Sequence, residues 1–88
     1  MRYIVCYDIS DNKNRLKVAK MLKGFGVRTQ KSVFEMECDE YTAKVILIAA
    51  EAIIDPIDKF FLYPVDKHNE KNIIRLGAVG DSDIDKLI

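Results

Sequence analysis

At 88 residues, 49% of them hydrophobic, the chain has room for one domain around one modest core. Its 14 basic and 14 acidic residues cancel, so net charge argues neither for nor against nucleic acid, and only the distribution of charge can. Two distant cysteines and one histidine argue against a Cys/His zinc site, and the longest apolar stretch, residues 45–50, is far too short for a membrane span. Met1 leads straight into a strand-like run with no basic leader, so a soluble cytoplasmic protein is expected. Cys6 and Cys38 both sit in apolar runs, where a reduced thiol serves as a small hydrophobe.

In chain order, residues 2–7 (RYIVCY) are β-branched and aromatic and predict a buried strand. Ser10 or Asp11 then caps a helix. Val18, Met21, Leu22 and Phe25 form its apolar stripe, with Leu16 and Ala19 beside it, and Gly24 or Gly26 stops it. Over 27–39 the alternation changes parity near Lys31 and Ser32, which predicts two strands joined by a tight turn or bulge. A second helix follows over 39–53, capped by Asp39 and ended by Asp55 and Pro56. Residues 58–66 predict a strand with Pro64 at an edge, HNEK a turn, and 72–77 a further short strand. No period is visible in the tail, residues 79–88.

The order β-α-β-β-α-β plus one strand predicts an α+β ferredoxin-like sandwich over residues 1–78, with two helices on one sheet face. The other face is then bare, and a two-fold homodimer is the economical way to cover it. The strand at 72–77 is expected to extend the partner's sheet and so cover an exposed edge.

Asp8 ends the first strand, where loops open to solvent. Two readings stand side by side. Asp8 orders the strand-to-helix turn by accepting backbone hydrogen bonds. Alternatively, two copies meet near a dimer axis and hold one Mg²⁺, an ion that takes only one or two carboxylates and keeps several waters. Arg15 and Lys17, early on the first helix, and Arg28 and Lys31 after it, make a ridge suited to phosphates, the arginines as rigid forks. Lys20 and Lys23 read as a solvated helix face and His68 as a loop histidine. Tyr3, Tyr7, Tyr41 and Tyr63 read as core or interface aromatics.

The stretch YDISDNKNRLKVAKMLKGFGVRTQKSVFEMEC resembles the start of the smaller of the two core CRISPR spacer-acquisition proteins, the CRISPR-associated endoribonuclease family. The shared pattern is Tyr7-Asp8-Ile9-Ser10-Asp11, then Arg15, Lys17-Val18-Ala19, Leu22 and Gly26, then Arg28, Gln30 and Ser32-Val33-Phe34-Glu35. Tyr63-Pro64 within FFLYPVD is similar to the family's later strand, and nothing after Gly77 matches. The resemblance implies a ferredoxin-like homodimer with Asp8 of each subunit around a divalent metal, Mg²⁺ or Mn²⁺. It implies cleavage of RNA or DNA phosphodiesters. It also implies an adaptor role in spacer acquisition, joining the larger integrase subunit and holding duplex DNA. By position, Asp8 matches the metal aspartate, and Arg15, Lys17, Arg28, Ser32 and Phe34 match positions linked to activity or substrate contact. Rival readings of the same residues are a non-catalytic DNA-binding adaptor, a toxin-like ribonuclease, and a small regulatory ferredoxin-like module, which would need a ligand pocket.

Overall fold

Along β1 (Arg2–Asp8) side chains alternate between two environments: Tyr3, Val5 and Tyr7 are buried, while Arg2, Ile4 and Cys6 are half-buried and Asp8 is exposed. A period of two places the first set on one face of a sheet and the second on the other. The computed structural model of the chain describes residues 1–77. Within them β1 is followed by α1 (Asn12–Lys23), β2 (Gly26–Gln30), β3 (Val33–Glu37), α2 (Glu40–Glu51), β4 (Lys59–Val65) and a single-turn α3 (Lys67–Glu70). The sheet order is β2-β3-β1-β4 with every neighbouring pair antiparallel, the expected ferredoxin-like topology. Residue 78 and the tail 79–88 lie outside the described residues.

The core lies between the sheet and its two long helices. Tyr3, Val5, Tyr7, Phe34 and Met36 from the sheet meet Val18, Ala19 and Leu22 of α1 and Ala43 and Ile46 of α2. Register explains why the strands agree: Val5 sits between Phe34 and Leu62, and Tyr3 between Met36 and Pro64. Asp11 rather than Ser10 caps α1, accepting from the Asn14 N–H at 2.9 Å, and Asp39 caps α2 from Thr42 at 2.8 Å. The stripe of α1 is narrower than its spacing predicts. Leu16 is exposed, and Phe25 falls beyond the helix, which ends at Lys23 with Gly24 as its cap. Gly26 belongs to β2 instead of stopping α1. A Cβ there would lie 2.3 Å from the Glu35 carbonyl oxygen and 2.7 Å from Met36 Cβ, so only glycine lets β2 approach β3 this closely. Both devices expected between β2 and β3 are present: the strands turn at Lys31–Ser32, and the register shifts between Arg28 and Gln30.

The C-terminal part departs from expectation. HNEK lies across the one-turn helix α3, capped by Asp66 through the Asn69 N–H at 3.0 Å. Residues 73–76 form no strand, and Ile74 and Leu76 are exposed. The physical reason is that a strand exists only in a ladder, and this segment has no ladder among the described residues. Its start is bonded to the helical turn before it, with Asn72 N–H donating to Asn69 at 2.9 Å and Ile73 N–H to Glu70 at 3.2 Å.

Ion pairs tie this segment to the uncovered face of the sheet. Glu35, whose side chain is only 11% exposed, accepts from Arg75 at 2.7 and 2.5 Å and from Arg2 at 3.0 Å, and Arg2 also lies 3.5 Å from Glu70. The Arg75 hydrogen bond holds the Glu35 carboxyl below the usual carboxylate range, against the opposing effect of burial. A depressed carboxylate stabilises the fold above its unfolded-state pKa, and that contribution disappears as pH falls through the lower folded-state value. Glu35→Gln should therefore cost about 1–3 kcal/mol at pH 7 in urea unfolding. The gap between variant and wild type should close on acidification below the ordinary glutamate range; a gap that stays constant from neutral to acid pH would mean that the cost does not come from the charge on Glu35.

Candidate nucleic-acid interface

Where β1 ends and α1 begins, the strand, the helix and the β2–β3 turn leave an open groove of about 470 Å³. Asp8, Arg15, Arg28, Lys31 and Ser32 line it together with Tyr7. The topology accounts for the meeting of residues so far apart in sequence. The end of β1 abuts the β2–β3 turn through the Tyr7 N–H, which donates to the Ser32 carbonyl at 3.2 Å. That contact brings residues 28–32 beside the first turn of α1.

The two arginines are held in place. Arg15 donates to the Ile9 carbonyl at 2.9 Å and to the Asn12 side chain, which fixes it over the β1–α1 loop. Arg28 donates from Nε to the Lys31 carbonyl at 3.2 Å, and its guanidinium lies 5.7 Å from the centroid of the Phe34 ring. Among the described residues its terminal N–H groups have no hydrogen-bond partner, so the fork remains available to an anion. Phe34 is fully buried and stacks on Tyr7 with ring centroids 6.4 Å apart. Its place in the site is beneath Arg28, as a support rather than a surface a substrate touches. Lys17 is exposed on α1 and does not line the groove.

Asp8 is exposed at the end of β1, on the parity of Ile4 and Cys6 and opposite Lys59 in the ladder. Among the described residues its carboxylate has no hydrogen bond or ion pair. The turn-ordering role falls to another acid. Asp58 accepts from the Ser10 N–H at 3.1 Å and from the Asp55 N–H at 2.9 Å, bridging the two loops at this end of the sheet. Sequence reading missed Asp58, whose signal is only its place just before a strand. It also left Tyr7 with the core aromatics. The Tyr7 hydroxyl is buried without a hydrogen-bond partner among the described residues, at the wall of the groove.

No group of three or more His, Cys, Asp or Glu side chains gathers to hold a metal among the described residues. Among the described residues the groove is lined by one acid, Asp8, a hard carboxylate that suits an ion that retains water and draws another ligand from elsewhere. Burial raises the Cys38 thiol above its ordinary value, with Asp39 adding to the effect, so this thiol stays protonated rather than acting as a nucleophile. His68 is exposed on α3, in keeping with a surface histidine. No helix among the described residues is long and apolar enough to cross a membrane.

A four-stranded antiparallel sheet with two helices on one face, its groove lined by Arg15, Arg28 and Lys31 beside the Asp8 carboxylate, defines a small ferredoxin-like α+β protein. The family model described as CRISPR associated protein Cas2 matches residues 1–73, and the chain belongs to that family. A relative from Rhodospirillum rubrum, CRISPR-associated endoribonuclease Cas2 4, is 42% identical over 64 residues, 72% of this chain and 52% of the relative. CRISPR-associated endonuclease Cas2 2 of Thermus thermophilus is 41% identical over 64 residues, 72% of this chain and 71% of the relative. The match thus spans about half the length of the first of these relatives and more of the second. Among solved structures, Streptococcus pyogenes Cas2 at pH 6.5 superposes with a TM-score of 0.78 at 29% identity, covering 88% of this chain and all of that one (100%). A hypothetical protein, TT1823, from Thermus thermophilus gives 0.76 at 35% identity, covering 90% and 92%.

The division of labour between the two acids is open to measurement. Asp8→Asn should change unfolding free energy by less than about 0.5 kcal/mol, as expected of a surface side chain without partners. Asp58→Ala should cost about 1–2 kcal/mol, because two backbone N–H groups lose their acceptor. Equal costs in urea titrations would return Asp8 to the role of a turn residue.

Proposed function

We propose that this chain is a nuclease that cleaves RNA or DNA phosphodiesters, works as a homodimer, and serves spacer acquisition as the adaptor that joins the integrase subunit to incoming duplex DNA. The observation that carries the reading is the Asp8 carboxylate, without a partner among the described residues, in a groove whose other charged lining residues are Arg15, Arg28 and Lys31. A lone exposed acid among cations has no structural employment here, and it suits a divalent ion and a polyanion together.

Two copies of Asp8, one from each subunit, would hold Mg²⁺ or Mn²⁺, and a bound ion supplies a more acidic water and neutralises charge on the attacked phosphate. The residues of the chain do the rest. The Arg28 fork binds phosphate oxygens, steadied from below by Phe34 and at its side by the Lys31 carbonyl. Arg15, anchored to the Ile9 carbonyl, adds positive charge on the opposite side of the groove. The Ser32 hydroxyl offers a hydrogen bond to a phosphate or sugar, and Lys17 extends the cationic surface along α1.

Homodimerisation rests on the uncovered sheet face. Ile4, Cys6, Val33, Phe61, Tyr63 and Val65 share it, with Phe61 and Tyr63 about half exposed. Residues 72–77, which have no ladder among the described residues, would gain one on the partner's sheet edge. A non-catalytic adaptor is favoured by one specific feature: among the described residues that line the groove, Asp8 is the one acid and there is no histidine.

In purified protein, Asp8→Asn should lower metal-dependent cleavage at least about a hundredfold, and chelation of the metal should do the same to wild type, reversed by added Mg²⁺. Cleavage by the variant at the wild-type rate would remove Asp8 from the chemistry. Acquisition of spacers by the same variant in cells would leave the adaptor role standing without catalysis.

The grip on phosphate has its own readout. Arg15→Ala and Arg28→Ala should each weaken duplex binding and flatten the plot of log affinity against log salt by about one unit per lost contact. A slope equal to that of wild type in either variant would show that the arginine faces away from the duplex.

A further inference from the structure

The outer side of α2 is as apolar as its inner side. Ala43, Ile46 and Ala50 face the core, while Tyr41, Val45 and Ile48 on the opposite side are 76%, 40% and 68% exposed. Ala52, the helix cap, is also exposed and keeps helical backbone angles. Steps of four, three and four residues bring these side chains onto one strip of the helix, and a helix apolar on two sides is one that is covered on two sides.

The strip is a palindrome, and we propose that it pairs antiparallel with the same helix of a second copy of this chain. A two-fold axis between residues 46 and 47 sets Tyr41 against the partner's Ala52 and Val45 against the partner's Ile48, and each pair recurs by symmetry. Each larger side chain meets a smaller one, as interdigitating layers require. The spacing is that of a and d positions along an antiparallel seam. Charge agrees with shape. Lys44 and Glu51 are exposed along one edge of the strip, and an antiparallel pair brings like edges together. Lys44 then neighbours the partner's Glu51, twice over. The other edge carries Thr42 and Ala49, so no like charges meet there. A parallel pairing sets Lys44 beside the partner's Ala49 and forms no ion pair.

This surface lies on the helical layer, away from the sheet face, so α2 pairing does not compete with a dimer built through the sheet. Two distinct two-fold interfaces on one chain generate assemblies of more than two copies. The helix spans 12 residues, so the contact is small and the pairing is a concentration-dependent step rather than a permanent one.

Sedimentation equilibrium of the whole chain, over about 1 to 500 μM, tests the pairing. Wild type should show an association step that Ile48→Glu abolishes and that Lys44→Glu weakens about tenfold. Lys44→Glu combined with Glu51→Lys should restore it, because the swapped charges again oppose each other. Circular dichroism should be unchanged in all variants, since the altered side chains are exposed. Phe61→Glu, on the sheet face, should remove only the separate step belonging to that face. Association indifferent to every α2 change, as expected if the strip serves a different protein, would overturn the proposal, and so would failure of the double charge swap to recover the step.

Discussion

The strict alternation along β1 is the constraint on which the rest of the molecule depends. With Tyr3, Val5 and Tyr7 committed to the helical side, Ile4, Cys6 and Asp8 are committed to the other, and a one-residue slip would invert both sets. β1 is also central: it pairs with β3 on one side and β4 on the other, so its parity is transmitted to Phe34 and Met36 and to Phe60 and Leu62. Core, uncovered face and the position of Asp8 at the strand's end are thus one decision. Tyr7 joins the consequences, because the residue that packs on Phe34 also stands at the wall of the groove, one step before the free carboxylate.

Most of the fold was legible because its signals are local. Strand parity, the capping aspartates and the helix spacing each act over fewer than a dozen residues, and they were read correctly for β1, α1, the turn at Lys31–Ser32, α2 and β4. What local signals leave undetermined depends on distant partners. Phe25 fits the periodicity of α1, yet the chain turns after Gly24 so that Gly26 can press against Glu35, a requirement imposed by β3. Residues 72–77 have the composition of a strand, but composition cannot supply the edge to which a strand must bond. The site was legible as a set of residue types. Its geometry was not: that Phe34 lies beneath Arg28, that Lys17 stands outside the groove and that Asp58 rather than Asp8 orders the loop all follow from contacts across the sheet.

The aspartates show how function can be separated from structure in so small a chain. Asp11, Asp39 and Asp66 each hold an N–H at the start of a helix, and Asp58 holds two in a loop. Asp8 holds none. Four of these acids are explained by folding alone, whereas the carboxylates of Asp8 and Asp55 have no backbone partner among the described residues. The same contrast applies to the arginines. Arg2 and Arg75 are spent on Glu35, whereas Arg28 is braced at one nitrogen and over one ring with its fork left open. A balanced total of charge therefore conceals a local imbalance, with three basic side chains and one acid lining the groove.

Size explains why so much remains unsatisfied. A domain of this length buries a smaller share of its surface than a larger one does, so apolar residues remain outside whatever the order of its strands. Here they are not scattered. Ile4, Phe61 and Tyr63 gather on the sheet, and Tyr41, Val45 and Ile48 on α2, at opposite layers of the same sandwich. Association between copies covers such surfaces without lengthening the chain, and symmetry repeats every side chain near an axis. For a groove that holds one carboxylate, repetition across a subunit boundary is the most direct source of a second. The sparseness of the site and the bareness of the sheet are then two aspects of one economy, because the pairing proposed through the sheet would complete both at once.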